Sequence, residues 1–279
     1  MFRNFCGGCI GIGADFETCL GLAQRFGFAG MDPVGDFTAP GAAAAMRERY
    51  QATGLRPGGW GLPVEFRGDD ATFRQGMKSL ARWAPAAREL GCLRCPTWVP
   101  SWSDERPYGE QYALWRERFR AIAEVLGAYE CRLGLEFLGP KTLREGHRHE
   151  FIHTLPQMME MARDVGPNAG LLLDSWHWYT SGGTVEQIRG LTDADVVYVH
   201  INDAPAGVAV EAQVDSVRAL PGETGVIDLT GFLGALREIE YSGPVTVEPF
   251  SARLNAMSAE EAARATGDAL MRLWRAPGV

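Results

Sequence analysis

The chain has 279 residues, of which 46% are hydrophobic and 22% charged, enough apolar material for a large core and a length usual for an eight-fold β/α barrel. Acidic residues outnumber basic ones, 35 to 27, for a net charge of −8 with no basic cluster, which argues against a nucleic-acid partner because phosphate binding needs concentrated Lys and Arg. No stretch approaches the ~20 apolar residues of a membrane span, and the opening residues Met1 to Gly8 lack the apolar region of a signal peptide, so a cytoplasmic protein with no membrane partner is expected.

Read in chain order, short apolar runs alternate with amphipathic stretches almost from end to end. Strands are expected at residues 8–13, 30–33, 55–61, 92–98, 132–138, 170–175, 196–201 and 245–249. Helices are expected between them, at 16–26, 42–53, 71–90, 111–129, 151–165, 185–191, 229–240 and 259–274. Apolar residues recur there at helical spacing, as in Phe232, Leu233, Leu236 and Ile239. Asp15, Thr184 and Asp228 stand where N-caps belong, and Ser258 with Glu261 reads as a capping box. Gly27, Gly54, Gly91 and Gly166 stand where helices end. Eight such units without a linker or low-complexity tract predict an α/β fold, a single (β/α)8 TIM barrel over residues 1–279. No G-x-G-x-x-G opens a helix after a strand, which argues against a dinucleotide cofactor.

Six cysteines include two C-x-x-C pairs, Cys6 with Cys9 and Cys92 with Cys95. Both pairs lie in strand-like runs, where residues three apart point to opposite faces. They are therefore expected to be buried free thiols, not a zinc site or a redox motif.

Four strand-like runs in the second half each end on a potential metal ligand. These are Leu-Gly-Leu-Glu136, Leu-Leu-Leu-Asp174, Val-Tyr-Val-His200 and Val-Thr-Val-Glu248. Burying a lone charge is costly, so four such placements at successive strand ends point to a shared partner, and a divalent cation is the simplest. In a barrel these residues close strands five to eight, at the end of the fold where active sites sit. Three carboxylates and one imidazole suit Mn²⁺, Mg²⁺ or Co²⁺, with Zn²⁺ also admissible. His177, three residues after Asp174, fits a second metal ligand, a packed ring or, the favoured reading, a donor to substrate. Asp203, three after His200, either orients that imidazole or is a solvated loop acid.

The strings LGLEFLG, LLLDSWHWY, VYVHIND, LPGETGVIDLTGFLGALREIEYSGPV and VEPF resemble the xylose-isomerase-like TIM-barrel superfamily of sugar isomerases and epimerases. Within it, the motifs are most like those of the inosose (2-keto-myo-inositol) isomerases. The resemblance runs from about Leu133 to the C-terminus; before that it rests on the βα rhythm and the turn at Gly30-Met-Asp32. It implies Glu136, Asp174, His200 and Glu248 as ligands of one divalent metal ion, Mn²⁺ first. It implies His177 and Arg218 as contacts of a small polyol-ketone substrate. The implied reaction is isomerisation or epimerisation of a sugar or cyclitol ketone through an enediolate, with Glu136 and Glu248 as the acid/base pair. A dehydratase of inosose or 3-dehydroshikimate type, or a ketose 3-epimerase, is the alternative on the same scaffold. In the 3-epimerases an arginine usually follows the seventh-strand histidine closely; residues 204–208 contain none, which counts against a ketohexose epimerase.

Trp60, Trp98, Trp102, Trp176 and Trp178 fall at or beyond predicted strand ends, where aromatic faces can cover the C–H face of a sugar. About half are expected to be ordinary packing, and Trp176 and Trp102 are the ones assigned to substrate. His147, His149 and His153 are read as a polar loop opening a helix. The family's DNA endonucleases use a histidine-rich metal cluster, whereas this chain has five histidines and none before His147, so that activity is set aside. The oligomeric state is left open, with a homodimer admitted.

Overall fold

The computed structural model describes residues 1–276 and 278 of the chain. Its strands are β1 Phe2–Phe5, β2 Gly30–Met31, β3 Arg56–Pro57, β4 Arg94–Val99, β5 Trp102–Ser103, β6 Arg132–Phe137, β7 His149–Glu150, β8 Ala169–Asp174, β9 Val196–Ile201 and β10 Pro244–Val247. Its helices are α1 Phe16–Arg25, α2 Ala42–Thr53, α3 Asp70–Leu90, α4 Tyr108–Gly127, α5 Leu155–Val165, α6 Ser175–Thr180, α7 Val185–Arg189, α8 Leu229–Glu238, α9 Ala252–Asn255 and α10 Ala259–Trp274. Eight parallel strands form one curled sheet in the order β3, β2, β1, β10, β9, β8, β6, β4. Across the remaining seam the Trp60 N–H donates to the Arg94 carbonyl at 3.0 Å. This is the TIM-barrel fold that the β/α rhythm predicts.

Both faces of such a sheet are covered, so its strands are apolar throughout rather than alternating. All six residues of β9 are buried, as are five of six in β6 and in β8. Charged residues in these strands therefore stand out, and those at the C-terminal ends share one mouth. Register fixes their level: Asp174 pairs with His200 across β8 and β9, and Thr246 pairs with His200 across β10 and β9.

Two expected elements sit elsewhere. The first strand is Phe2–Phe5, not residues 8–13, because Gly7, Gly8 and Gly11 allow a 3-10 turn at Gly8–Ile10 instead of extended chain. Gly11 adopts φ +77° and the Ile12 N–H returns to the Gly7 carbonyl at 2.9 Å. The fifth long helix begins at Leu155, not at residue 151, because Thr154 and Gln157 form a capping box. Residues 149–150 instead join a two-stranded ribbon with Trp102–Ser103 over the barrel mouth. The expected caps Asp15, Thr184, Asp228 and Ser258 all accept backbone N–H groups at helix starts. Among the described residues no helix is long and apolar enough to cross a membrane.

Candidate metal centre

Glu136 is the penultimate residue of β6, Asp174 the last of β8, His200 lies in β9, and Glu248 follows β10 directly. One donor atom from each can be chosen so that all four lie within 4.8 Å of one another. His200 Nδ1 is 3.2 Å from Glu248 Oε2, 3.5 Å from Glu136 Oε1 and 4.0 Å from Asp174 Oδ2. Glu136 and His200 are 5% and 8% exposed, and Asp174 is fully buried. Glu136 Oε1 and His200 Nδ1 are buried without a hydrogen-bond partner, an arrangement rarely left standing in a folded protein. A divalent cation bound by oxygen and imidazole donors resolves that deficit, and the donor set suits one. The residues present therefore fit a divalent metal.

The electrostatics of these four side chains show the same strain. Burial pushes the Glu136 carboxyl up to about 8, reinforced by Glu248 and Asp174 and opposed by His200. Burial also works against charge on His200, but Glu248 and Glu136 outweigh it and hold the imidazole well above its ordinary value. Glu248 is partly buried, yet His200 and Arg218 keep it below the usual carboxylate range.

Arg218 is the cation that the ligands already have. Its Nη1 donates to Asp174 Oδ2 at 2.8 Å and to the Glu248 carbonyl at 3.2 Å, with Glu248 Oε2 at 3.3 Å. Its Nη2 donates to Asp215 Oδ1 at 2.8 Å. The guanidinium faces the rings of Phe250 and Trp176, at 4.4 and 5.4 Å. Phe250 holds this place at φ +38°, which is unfavourable for a bulky residue. Arg218 reaches the centre because the Asp203–Ala219 bridge folds its loop back. The lack of arginine in residues 204–208 therefore does not empty the site of one, and that argument against an epimerase lapses.

His177 is buried in α6. The Gly139 N–H donates to its Nδ1 at 3.2 Å, which places the ring hydrogen of the neutral form on Nε2. Nε2 faces the centre, 3.4 Å from Arg218 Nη2, 3.8 Å from Asp215 Oδ1 and 4.0 Å from Glu136 Oε1. Burial, helped by Arg218 and His200, pushes His177 down to about 3. It is a neutral ring that offers one N–H.

Glu136, His177, Asp215, Arg218 and Glu248 line a cavity of about 230 Å³. Trp98, Trp102, Leu138, Leu143 and Phe250 complete its lining. The cavity is smaller than a drug-sized pocket and suits a small molecule with both polar and apolar surface. A groove of about 700 Å³ over Arg67, Asp104, Arg106 and Arg118 lies alongside and shares Trp102 but none of the four ligand residues.

Several other residues fall differently from expectation. Trp176 is fully buried, faces Arg218 and lies outside the cavity wall; it packs behind the site rather than meeting substrate. Trp60 and Trp178 are also core, leaving Trp98 and Trp102 at the cavity. Asp203 neither orients His200 nor meets solvent. It accepts the N–H groups of Ala204, Thr224, Gly225 and Ile227 at 2.8 to 3.0 Å. His147 stacks on Trp102 and meets Asp104 at 2.8 Å. Cys6 and Cys9 share a tight turn with their sulfurs 2.7 Å apart, not opposite faces of a strand. Cys92 and Cys95 are buried, as expected. Asn202 and Asp215 went unpredicted: Asn202 Nδ2 donates to Asp174 Oδ1 at 3.0 Å and to the Glu248 carbonyl at 3.2 Å.

Known proteins resemble this chain in sequence and fold. Inosose isomerase of Bacillus subtilis is 32% identical over 145 residues, 50% of this chain and 48% of that protein, so the match spans about half of that relative. A 3-dehydroshikimate dehydratase of Pseudomonas putida is 30% identical over 136 residues, 46% of this chain and 21% of that one. An L-ribulose 3-epimerase of Methylomonas is 32% identical over 89 residues, 32% and 26%. A xylose isomerase domain protein from Alicyclobacillus acidocaldarius superposes with a TM-score of 0.85 at 29% identity over 97% of both chains. The IOLI protein, solved with a bound zinc atom, shares the fold with a TM-score of 0.82 at 20% identity over 98% of both chains. Isomerases, epimerases and a dehydratase thus share this scaffold. The family described as Xylose isomerase-like TIM barrel matches residues 20–273, and the chain belongs to it.

Proposed function

We propose that this chain is a divalent-metal-dependent isomerase or epimerase of a small polyol-ketone, an inosose or a comparable cyclic or open sugar ketone. The observation that carries the reading is the pair of orphaned buried donors, Glu136 Oε1 and His200 Nδ1, the first of which belongs to a residue lining a cavity that Trp98, Trp102 and Phe250 also line. Glu136, Asp174, His200 and Glu248 would hold the ion. When bound, it supplies Lewis-acid polarisation of a ketone and its neighbouring hydroxyl, which acidifies the C–H between them.

The chain's own groups do the rest. Glu136 and Glu248 enter the cavity from β6 and β10, on either side of β8 and β9 in the sheet. A substrate carbon between them meets a carboxylate from each side, so one removes the α proton and the same or the other returns it to a neighbouring position. The His177 Nε2–H donates to a substrate oxygen. Arg218 fixes Asp174 and Glu248. Trp98, Trp102 and Phe250 cover the C–H face and exclude water. All six cysteines are free thiols, in keeping with a reducing cytoplasmic setting.

The test follows deuterium uptake from D₂O by NMR with Mn²⁺ present, across inososes, ketohexoses and hydroxypyruvate. Uptake at a carbon next to the ketone, abolished in Glu248→Gln with an unchanged circular dichroism spectrum, is the expected result. Absence of exchange with all of them, metal bound, sinks the reading. Loss of water to an enone, seen in the ultraviolet, would instead assign the chain to the dehydratases of its family.

A further inference from the structure

The turn after β1 brings two thiols to the same barrel mouth. The Cys9 S–H donates to Cys6 Sγ at 2.7 Å, and these two are the partly exposed cysteines of the six. On its other side Cys9 joins His200 and Glu248: one donor atom from each of the three lies within 4.8 Å of the others. Bonds of ~2.0–2.3 Å to a single ion span such separations. His200 is 8% exposed and its Nδ1 has no hydrogen-bond partner. His200 and Glu248 therefore belong to two donor sets, one completed by Glu136 and Asp174 and one by Cys9.

The two sets differ in chemistry. The first is rich in oxygen and suits hard ions. The second carries a thiolate, which selects thiophilic ions. Mg²⁺ and Mn²⁺ gain little from sulfur, whereas Zn²⁺ and Cd²⁺ bind it well. Cys9 loses its proton to solvent as the ion binds. The two positions share His200 and Glu248 and so overlap.

We propose that Cys9, His200 and Glu248 form a second cation position that overlaps the oxygen-rich centre and takes thiophilic divalent ions. The inference rests on the reading of the four-residue cluster as a metal centre, and it adds a ligand which that reading does not use. The early C-x-x-C turn thereby gains a role, holding a sulfur donor beside the centre and coupling occupancy to the kind of metal present.

Cobalt reports both positions at once in the full-length protein, kept reduced by a phosphine. Visible d–d absorption shows Co²⁺ bound, and a near-ultraviolet charge-transfer band shows a thiolate bound to it. The expected result is both in the native protein, with the charge-transfer band lost in Cys9→Ser while the d–d bands persist. Bound Co²⁺ without a charge-transfer band overturns the second position and leaves the first intact. A band that survives Cys9→Ser overturns the assignment to Cys9. No d–d absorption overturns the metal centre itself, and the inference with it. A second measurement needs no variant: Zn²⁺ or Cd²⁺ should slow alkylation of Cys9, read by peptide mass mapping, by roughly tenfold, the order a change around a metal ligand brings. Mg²⁺ should leave it unchanged, and equal protection by both ions overturns the proposal.

Discussion

Arg218 and Asp174 form a fully buried ion pair, Nη1 to Oδ2 at 2.8 Å, with 1% and 0% of their side chains exposed. The pair sits inside a cluster whose other acids, Asp215 and Glu248, also lean on the same guanidinium. Removing one partner of such a pair leaves a buried charge without compensation. Arg218→Met should therefore lower stability by about 3–5 kcal/mol in urea unfolding of the metal-free protein. Added Mn²⁺ should recover part of the loss, because an ion replaces some of the missing positive charge. A change below about 1 kcal/mol would mean that water reaches Asp174 and that the pair is not the support described.

Asp203 makes a parallel case away from the centre. Its carboxylate gathers four backbone N–H groups from residues 204, 224, 225 and 227. Asp203→Ala leaves buried donors unpaired, each worth about 1–3 kcal/mol. The expected result is a lower melting temperature together with faster hydrogen exchange across residues 219–227. Exchange that stays slow there would show the loop to be held by something else.

How much of this was readable in the residues depended on the kind of signal. Glu136, Asp174, His200 and Glu248 were legible because a charge closing an apolar strand is a burial anomaly that one dimension already displays. Strands β4, β6, β8, β9 and β10 were legible for the same reason: a long apolar run bounded by glycine or a charge has few alternatives, whereas the two-residue strands β5 and β7 carry no such run. The first strand was not, since Phe2–Phe5 is short and the following Cys-Ile-Gly-Ile run imitates a strand until its glycines turn it. Asp215 and Asn202 were invisible because they lie beyond the strand ends, and Cys9 was read as a strand thiol because its run imitates one. The chain between Asp203 and Ala219 has no period, and only the bridge between those two residues brings Asp215 and Arg218 back over the barrel. Trp176 misled because nearness to a strand end in sequence says nothing of which way the ring points once a short helix begins at Ser175.

Metal binding at the centre should release protons. Burial pushes the Glu136 carboxyl up to about 8, and His200 is held well above its ordinary value despite burial. Both must be deprotonated to act as ligands, so protons compete with the ion below those values. Affinity for Mn²⁺, measured by calorimetry, should fall as pH falls below about 8, by about tenfold or more per pH unit. At a free-metal level a hundred times Kd, loading should stabilise the fold by about 2.7 kcal/mol, and chelation should remove it. An affinity that is flat from pH 8 to about 6 would mean that these groups are not the ligands.

His177 separates substrate contact from metal ligation. Its Nδ1 is occupied by the Gly139 N–H and its Nε2–H faces the cavity, while burial pushes its titration down to about 3. The imidazole should stay neutral, with no change in its ¹⁵N shifts from about pH 5 to about 9, where an ordinary histidine titrates. His177→Ala should keep Mn²⁺ affinity within about twofold but cut kcat/KM by about 10²-fold or more, since a buried donor to a substrate oxygen is lost. The inverse pattern, lost Mn²⁺ affinity with modest kinetic change, would assign His177 to the metal and remove it from the substrate.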